Sequence, residues 1–184
     1  MTFDLPPLGI NVLLTALILV AATYDIRFRR IPNWLTLSGV VAGVAMNTFL
    51  YNGWQGLILS LAGLGTAFAA YFVLYLLRGM GAGDVKLMAA IGAMVGFRAW
   101  FGIFMITAIV GGIAAIVVVA LRGRFRKTMW NVGFILSEMK RGRPAYVSNE
   151  ELDVRSPKAV GLPHGAVIAV GTLVFLGSCL HFQG

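Results

Sequence analysis

At residues 79–86 the chain reads Gly79-Met80-Gly81-Ala82-Gly83-Asp84-Val85-Lys86. This stretch ends one long apolar run, and the next apolar run begins directly after it. Three glycines alternate with other residues, and a carboxylate and an ammonium group follow them. An ionisable group at the edge of a membrane segment is costly and therefore indicates a functional site. Asp84 is a candidate functional residue if another part of the chain supplies a partner for it.

The composition predicts an integral membrane protein. Of the 184 residues 59% are hydrophobic and only 12% are charged, whereas about 25% of the residues of a soluble domain are charged. The net charge of +8 is not gathered into a basic stripe with interleaved aromatic residues, so we interpret it as a topological signal and not as nucleic-acid binding. The single cysteine, Cys179, and the two dispersed histidines indicate neither a disulfide framework nor a metal site, and no cofactor is indicated.

Six apolar segments predict an all-α bundle of membrane-spanning helices. The fourth is shorter than the roughly 17–25 residues that a spanning helix needs. It is therefore a half-span, a helix buried among others, or a segment continuous with the fifth through Gly96-Phe97-Arg98, and five or six spans both stay open. The segments are Leu8–Tyr24, Asn33–Leu50, Gly56–Leu77, Val85–Phe97, Ala99–Leu121 and Gly165–Phe182.

The basic residues predict the orientation of the bundle. If six segments span, every lysine and arginine except Arg98 lies on one face, which the positive-inside rule makes cytoplasmic. Both termini then lie outside, and six spans are favoured over five. We expect one membrane-embedded domain over residues 1–184. Residues 122–162 form its cytoplasmic loop, in which 129–140 are compatible with a helix lying in the membrane interface.

Two carboxylates border apolar segments, and the predicted topology puts both at the cytoplasmic edge. They are Asp25, at the end of the first segment, and Asp84, at the start of the fourth. If they face each other across a cavity, they cannot both ionise readily. The ionised member could then take a proton from water attacking a peptide carbonyl while the protonated member donates to the carbonyl oxygen. Gly81 and Gly83 would give a flexible backbone beside which an extended substrate can lie.

Other interpretations of the same residues stay open. Asp84 could cap the helix that it begins, and Asp25 could pair with the arginines that follow it. Paired acids in a membrane also serve ion-coupled transporters as proton or cation sites. A non-enzymatic platform for the assembly of other proteins is a third class.

The flanking motifs resemble those of the type IV prepilin peptidases, the Gly-x-Gly-Asp membrane aspartic peptidases. Gly81–Asp84 matches that motif, and Gly83–Leu87 is similar to the family's Gly-Asp-x-Lys-Leu. Asp25–Asn33 resembles the family's aspartate, basic turn and Ile-Pro-Asn. Leu162–Gly171 is similar to its Pro-x-Gly motif in the last span. These motifs occur in the family's order and cover nearly the whole chain.

The resemblance implies an aspartic endopeptidase of the bacterial inner membrane. Such an enzyme cuts a prepilin or pseudopilin precursor on the cytoplasmic side, after the glycine that ends a short basic leader. Asp25 and Asp84 would be the catalytic pair. Lys86, Pro163 and Gly165 are candidate supporting residues. Lys86 could contact a carboxylate or lipid phosphate, but a role in topology is the favoured interpretation.

The expected partners are the precursor protein and membrane lipid, with no nucleic acid. The paired Cys-x-x-Cys motifs of larger family members are missing from this sequence. The chain is therefore expected to be similar to the short peptidases of Tad/Cpa pilus systems or to archaeal preflagellin peptidases. N-methyltransferase activity is not expected.

Overall fold

The computed structural model describes residues 6–123, 129–130, 133–134, 137 and 163–183. Every regular element in these ranges is helical, so the predicted all-α fold is confirmed. Most of the predicted loop 122–162, with most of its interfacial helix, lies outside the described residues. The elements are α1 (Leu8–Phe28), α2 (Asn33–Ala45), a π-helix that continues it (Met46–Asn52), α3 (Gly53–Leu76), α4 (Ala82–Leu121) and α5 (His164–Gln183).

Within the described ranges, four helices are long and apolar enough to cross a membrane. They are α1, α2 with its π-helical extension, α3 and α4, and α5 contributes a shorter apolar stretch, His164–Leu180. The chain is a multi-pass membrane protein. The count of six spans and the placement of both termini outside stay predictions.

Helix α4 changes direction at Gly96. A straight helix of its 40 residues would be about 60 Å long, twice the apolar thickness of a bilayer. Gly96 has φ 73° and ψ 174°, a conformation that is essentially confined to glycine. The fourth and fifth predicted segments are therefore joined without a loop but separated by this break.

The part of α4 after the break runs back toward the end of the bundle that holds Asp25 and Asp84, which we call the aspartate end. Positions 171 and 167 of α5 contact Thr107 and Gly111 of α4, and Gly165 contacts Asp25. Residues of α4 with higher numbers therefore contact positions of α5 that lie closer to the aspartate end. Gly96 itself packs on Leu59, at the opposite end of α3.

The part of α4 before the break is buried on all sides. All ten residues from 87 to 96 are buried, as expected for a short helix surrounded by others. A Cβ atom on Gly63 of α3 would overlap the carbonyl oxygen of Gly92, so α3 and α4 are in backbone contact there. In α2, Gly39 and Gly43 similarly face Ala90 and Met94. Glycines thus let α2, α3 and α4 approach closely around this segment.

Asn47 of the π-helix binds the carbonyl groups next to the break. Its Nδ2 atom donates to the carbonyl oxygens of Ala93 at 3.2 Å and of Met94 at 2.9 Å, and to Ser60 Oγ at 3.0 Å. The last carbonyls before a helix break lack their usual partners, and leaving them unpaired in a buried place is costly. Asn47 is 2% exposed, and its amide replaces those partners. The π-helix therefore stabilises the break that positions α4.

Candidate active site

Asp25 lies one turn before the end of α1, where Arg29 closes the helix with a left-handed conformation. Its side chain is 8% exposed. Atom Oδ2 of its carboxyl accepts a hydrogen bond of 2.8 Å from the backbone N–H of Gly165. Gly165 is the second residue of α5, and the first N–H groups of a helix have no partner within it and favour a negative charge. The beginning of α5 therefore holds the Asp25 carboxyl in place.

Asp84 is the third residue of α4 and is also 8% exposed. Its Oδ2 atom accepts a hydrogen bond of 3.2 Å from the backbone N–H of Gly81. The N-cap residue of α4 is Gly81, not Asp84, so the interpretation of Asp84 as the N-cap is wrong; Asp84 is the N3 residue, and its carboxyl accepts the N–H of the N-cap residue. This bond does not exclude a second role, because the same side chain also reaches a cavity.

The two carboxyl groups line one cavity of about 500 Å³. Asp84 lies within electrostatic range of both Asp25 and the first residue of α5, His164. Helices distant in sequence thus bring the two predicted residues together. The cavity is lined by Asp25, Arg29, Arg30, Ile31, Pro32, Asn33, Gly81, Ala82, Gly83, Asp84 and Lys86.

Ile31 lies between the two helix ends that hold the aspartates. A Cβ atom on Gly83 would be 3.2 Å from Ile31 Cβ, and one on Gly165 would be 3.1 Å from Ile31 Cδ1. Both glycines therefore leave room for this side chain. The sequence analysis quoted Ile31 within a motif but did not select it as a site residue. An apolar side chain does not indicate catalytic chemistry. The available signal was the position of Ile31 in the Ile-Pro-Asn motif that follows Asp25.

The remaining predicted residues have structural partners at the same end. Lys86 Nζ donates to Asn33 Oδ1 at 2.9 Å, which links α4 to the start of α2. The carbonyl of Pro163 accepts a bond from Val167 N–H at 3.2 Å and so begins the first turn of α5. The glycines at 81 and 83 have negative φ angles or extended backbone, and their predicted flexibility stays a prediction.

Tyr71 of α3 was also missed. It is 1% exposed and interacts electrostatically with Asp84. Its ring makes an edge-to-face contact with Phe104 of α4, with 5.8 Å between centroids. Nothing in an apolar run rich in aromatic residues distinguishes this tyrosine, because its position depends on how α3 packs against α4.

Within the described part of the chain, no group of three or more His, Cys, Asp or Glu side chains could hold a metal ion. The arrangement that the structure presents is a pair of buried carboxyls at a cavity, each accepting a backbone hydrogen bond. Carboxyl groups that line a cavity can pass protons to and from a bound molecule.

Comparisons with known protein families and sequences match a large part of the chain. The family model described as the type IV leader peptidase family matches residues 12–116, which include both aspartates. A prepilin leader peptidase/N-methyltransferase of Aeromonas salmonicida strain A449 is 34% identical over 118 residues, 60% of this chain and 40% of that protein. One of Klebsiella pneumoniae is 34% identical over 100 residues, 51% of this chain and 43% of that protein. The chain thus spans less than half the length of these relatives. No solved structure gives a significant match.

Proposed function

Because the chain belongs to the type IV leader peptidase family, we propose that it is a membrane aspartic endopeptidase that removes the leader of prepilin-like precursors. The main support for this proposal is that Asp25 and Asp84 line the same cavity. Two buried carboxyls are the groups that hydrolysis of a peptide bond by an activated water requires. The family resemblance suggests cleavage after the glycine that ends a short basic leader.

In the proposed mechanism, the pair holds one proton in the resting state. The ionised carboxylate takes a proton from a water molecule as the water oxygen attacks the carbonyl carbon of the peptide bond. The protonated carboxyl donates its proton to the carbonyl oxygen, which gives a neutral tetrahedral diol. One diol hydroxyl then returns a proton to the pair, the other carboxyl protonates the amide nitrogen, and the C–N bond breaks. The pair is left with one proton, as at the start.

The charges at the two ends of the bundle support a cytoplasmic active site. Arg29, Arg30 and Lys86 line the cavity at the aspartate end, whereas Arg98 follows the break at the opposite end. By the positive-inside rule the aspartate end faces the cytoplasm. We place the chain in the bacterial inner membrane with prepilin or pseudopilin precursors as its substrates.

The test is cleavage by the purified chain in proteoliposomes. The probe is a synthetic peptide with a short basic leader ending in glycine, followed by an apolar helix of leucine and alanine. We expect mass spectrometry to find two products, separated after the glycine. A coupled ion flux that depends on both aspartates, with no peptide bond cut at any pH, would instead support the transporter.

Removing the Ile31 side chain should slow cleavage without unfolding the protein. In Ile31→Ala the ends of α4 and α5 lose the group that separates them, so we expect kcat to fall about tenfold, as small misplacements of catalytic groups commonly do. Ile31→Val keeps most of the contact and should stay within about twofold of the wild type. The control is Ile26→Ala, because Ile26 is 61% exposed. Equal rates for Ile31→Ala and Ile26→Ala would contradict the positioning role.

A further inference from the structure

A second cavity, of about 460 Å³, lies between α2 and α3 beside the active-site cavity. We call it the α2–α3 groove. Its lining is mostly apolar, and Trp34, Leu37 and Phe68 are 60%, 65% and 43% exposed, so the groove is open toward the membrane. It is lined by Asn33, Trp34, Thr36, Leu37 and Val40 of α2, Leu64 and Phe68 of α3, and Lys86 and Ala89 of α4.

The groove is continuous with the active-site cavity. Asn33 and Lys86 line both cavities and are bonded to each other at 2.9 Å. Asn33 is the first residue of α2, at the aspartate end, and Val40 lies about 10 Å further along that helix. The groove therefore leads from the cavity of the two aspartates along α2, away from the aspartate end.

Asn33 and Lys86, which we call the polar pair, lie between the two cavities, at the point where a bound peptide would have to leave its helical conformation. A peptide bond must leave its helix before it can be cut, and unwound backbone groups need hydrogen-bond partners in apolar surroundings. The ammonium of Lys86 and the amide of Asn33 can supply them beside the carboxyls. Beyond the pair the walls are apolar and suit a helix, whose backbone groups are satisfied internally.

On the basis of the proposed function, we propose that the α2–α3 groove receives the apolar helix that follows the cleaved bond of the precursor. The groove length fits about two turns, roughly seven residues, and the helix enters it past Asn33 and Lys86. A lipid with its phosphate on Lys86 would also match this groove, but it would not account for the continuity of the groove with the cavity of the two aspartates. The polar leader lies on the other side of the cut bond, outside the groove.

Photo-crosslinking tests directly whether the apolar helix of the peptide binds in the α2–α3 groove. A benzoylphenylalanine is placed at position 37 or 68 in an Asp84→Asn chain, which holds the synthetic peptide uncut. The control position is 73, because Val73 is on the same helix as Phe68, is 55% exposed and does not line the groove. We expect peptide adducts from positions 37 and 68 and few from 73. Equal yields at all three positions, or adducts with lipid alone, would overturn the inference.

Kinetics give a second measurement in the otherwise unchanged chain. Leu37→Ala removes apolar contact with the helix, so KM should rise about tenfold while kcat stays within about twofold. Val73→Ala should change neither, and a Leu37→Ala enzyme with wild-type KM would contradict the groove. If the wild type does not cut the peptide, the proposed function fails, and the crosslinks still decide whether the groove binds the helix.

Discussion

Asp25→Asn and Asp84→Asn will each abolish peptide cleavage while the protein still inserts and folds. Each replacement removes a group that must both take up and release a proton, so we expect a loss of at least about 1,000-fold in kcat. Asparagine is close to aspartate in size, and its side-chain oxygen can still accept the bond from Gly165 or Gly81. The fold should therefore survive both changes. The measurement is single-turnover cleavage of the synthetic peptide in proteoliposomes, together with thermal unfolding in detergent.

A double variant separates a catalytic pair from two independent residues. The proposed mechanism requires the two carboxyls to act as one unit, so it predicts that Asp25→Asn/Asp84→Asn is no slower than either single variant. Asp4→Asn is the matched control, since Asp4 is acidic but borders no apolar segment. If either single variant at the pair cuts at a rate near that of the wild type, the proposed mechanism is wrong. If pilus assembly continues with both aspartates replaced, that result supports the interpretation of the protein as a non-enzymatic assembly platform.

Gly165→Val is expected to produce the second large loss. A Cβ atom at this position would lie 3.0 Å from Asp25 Cβ and 3.1 Å from both Asp25 Oδ2 and Ile31 Cδ1. A branched side chain must therefore displace the Asp25 carboxyl. Since a shift of about 1 Å in a catalytic group can cost 100-fold, we expect kcat to fall by at least that factor. Gly165→Ala should lie between the valine variant and the wild type.

The matched control lies on the same helix. A Cβ atom at Gly177 meets nothing within 4 Å, so Gly177→Val should cut normally. Unfolding temperatures of the two valine variants report whether α5 stays packed. A positioning role requires that kcat falls more than KM rises in Gly165→Val. Normal cleavage by this variant would show that α5 does not hold Asp25 for catalysis.

The sequence was sufficient for the features that depend on local composition. Apolar length and the distribution of arginine and lysine predicted a helical membrane bundle. The positions of Asp25 and Asp84 at segment edges singled out the two carboxylates that line the cavity. The flanking motifs predicted the family, which the match over residues 12–116 confirms.

Features that depend on packing between distant segments could not be predicted. The sequence marked Gly96-Phe97-Arg98 as a possible junction, but it did not indicate the positive φ angle of Gly96, which depends on packing against α3 and on the bonds of Asn47. The apolar side chain of Ile31 has no chemical signature, and Tyr71 comes near Asp84 only through the packing of α3 against α4, which no local pattern encodes. The π-helix after α2 was likewise not predicted, and its Asn47 binds carbonyl groups that are distant in sequence.

The break at Gly96 also has a consequence for how the chain enters the bilayer during synthesis. The residues of α4 before the break span only about 20 Å, carry Asp84 and are covered by protein in the finished bundle. A segment this short and this charged is a poor candidate for independent insertion. Only Phe97 and Arg98 separate the break from the apolar residues that follow, so we expect the two halves to enter as one unit, a hairpin. Insertion of the aspartate is then coupled to insertion of the helix that follows it.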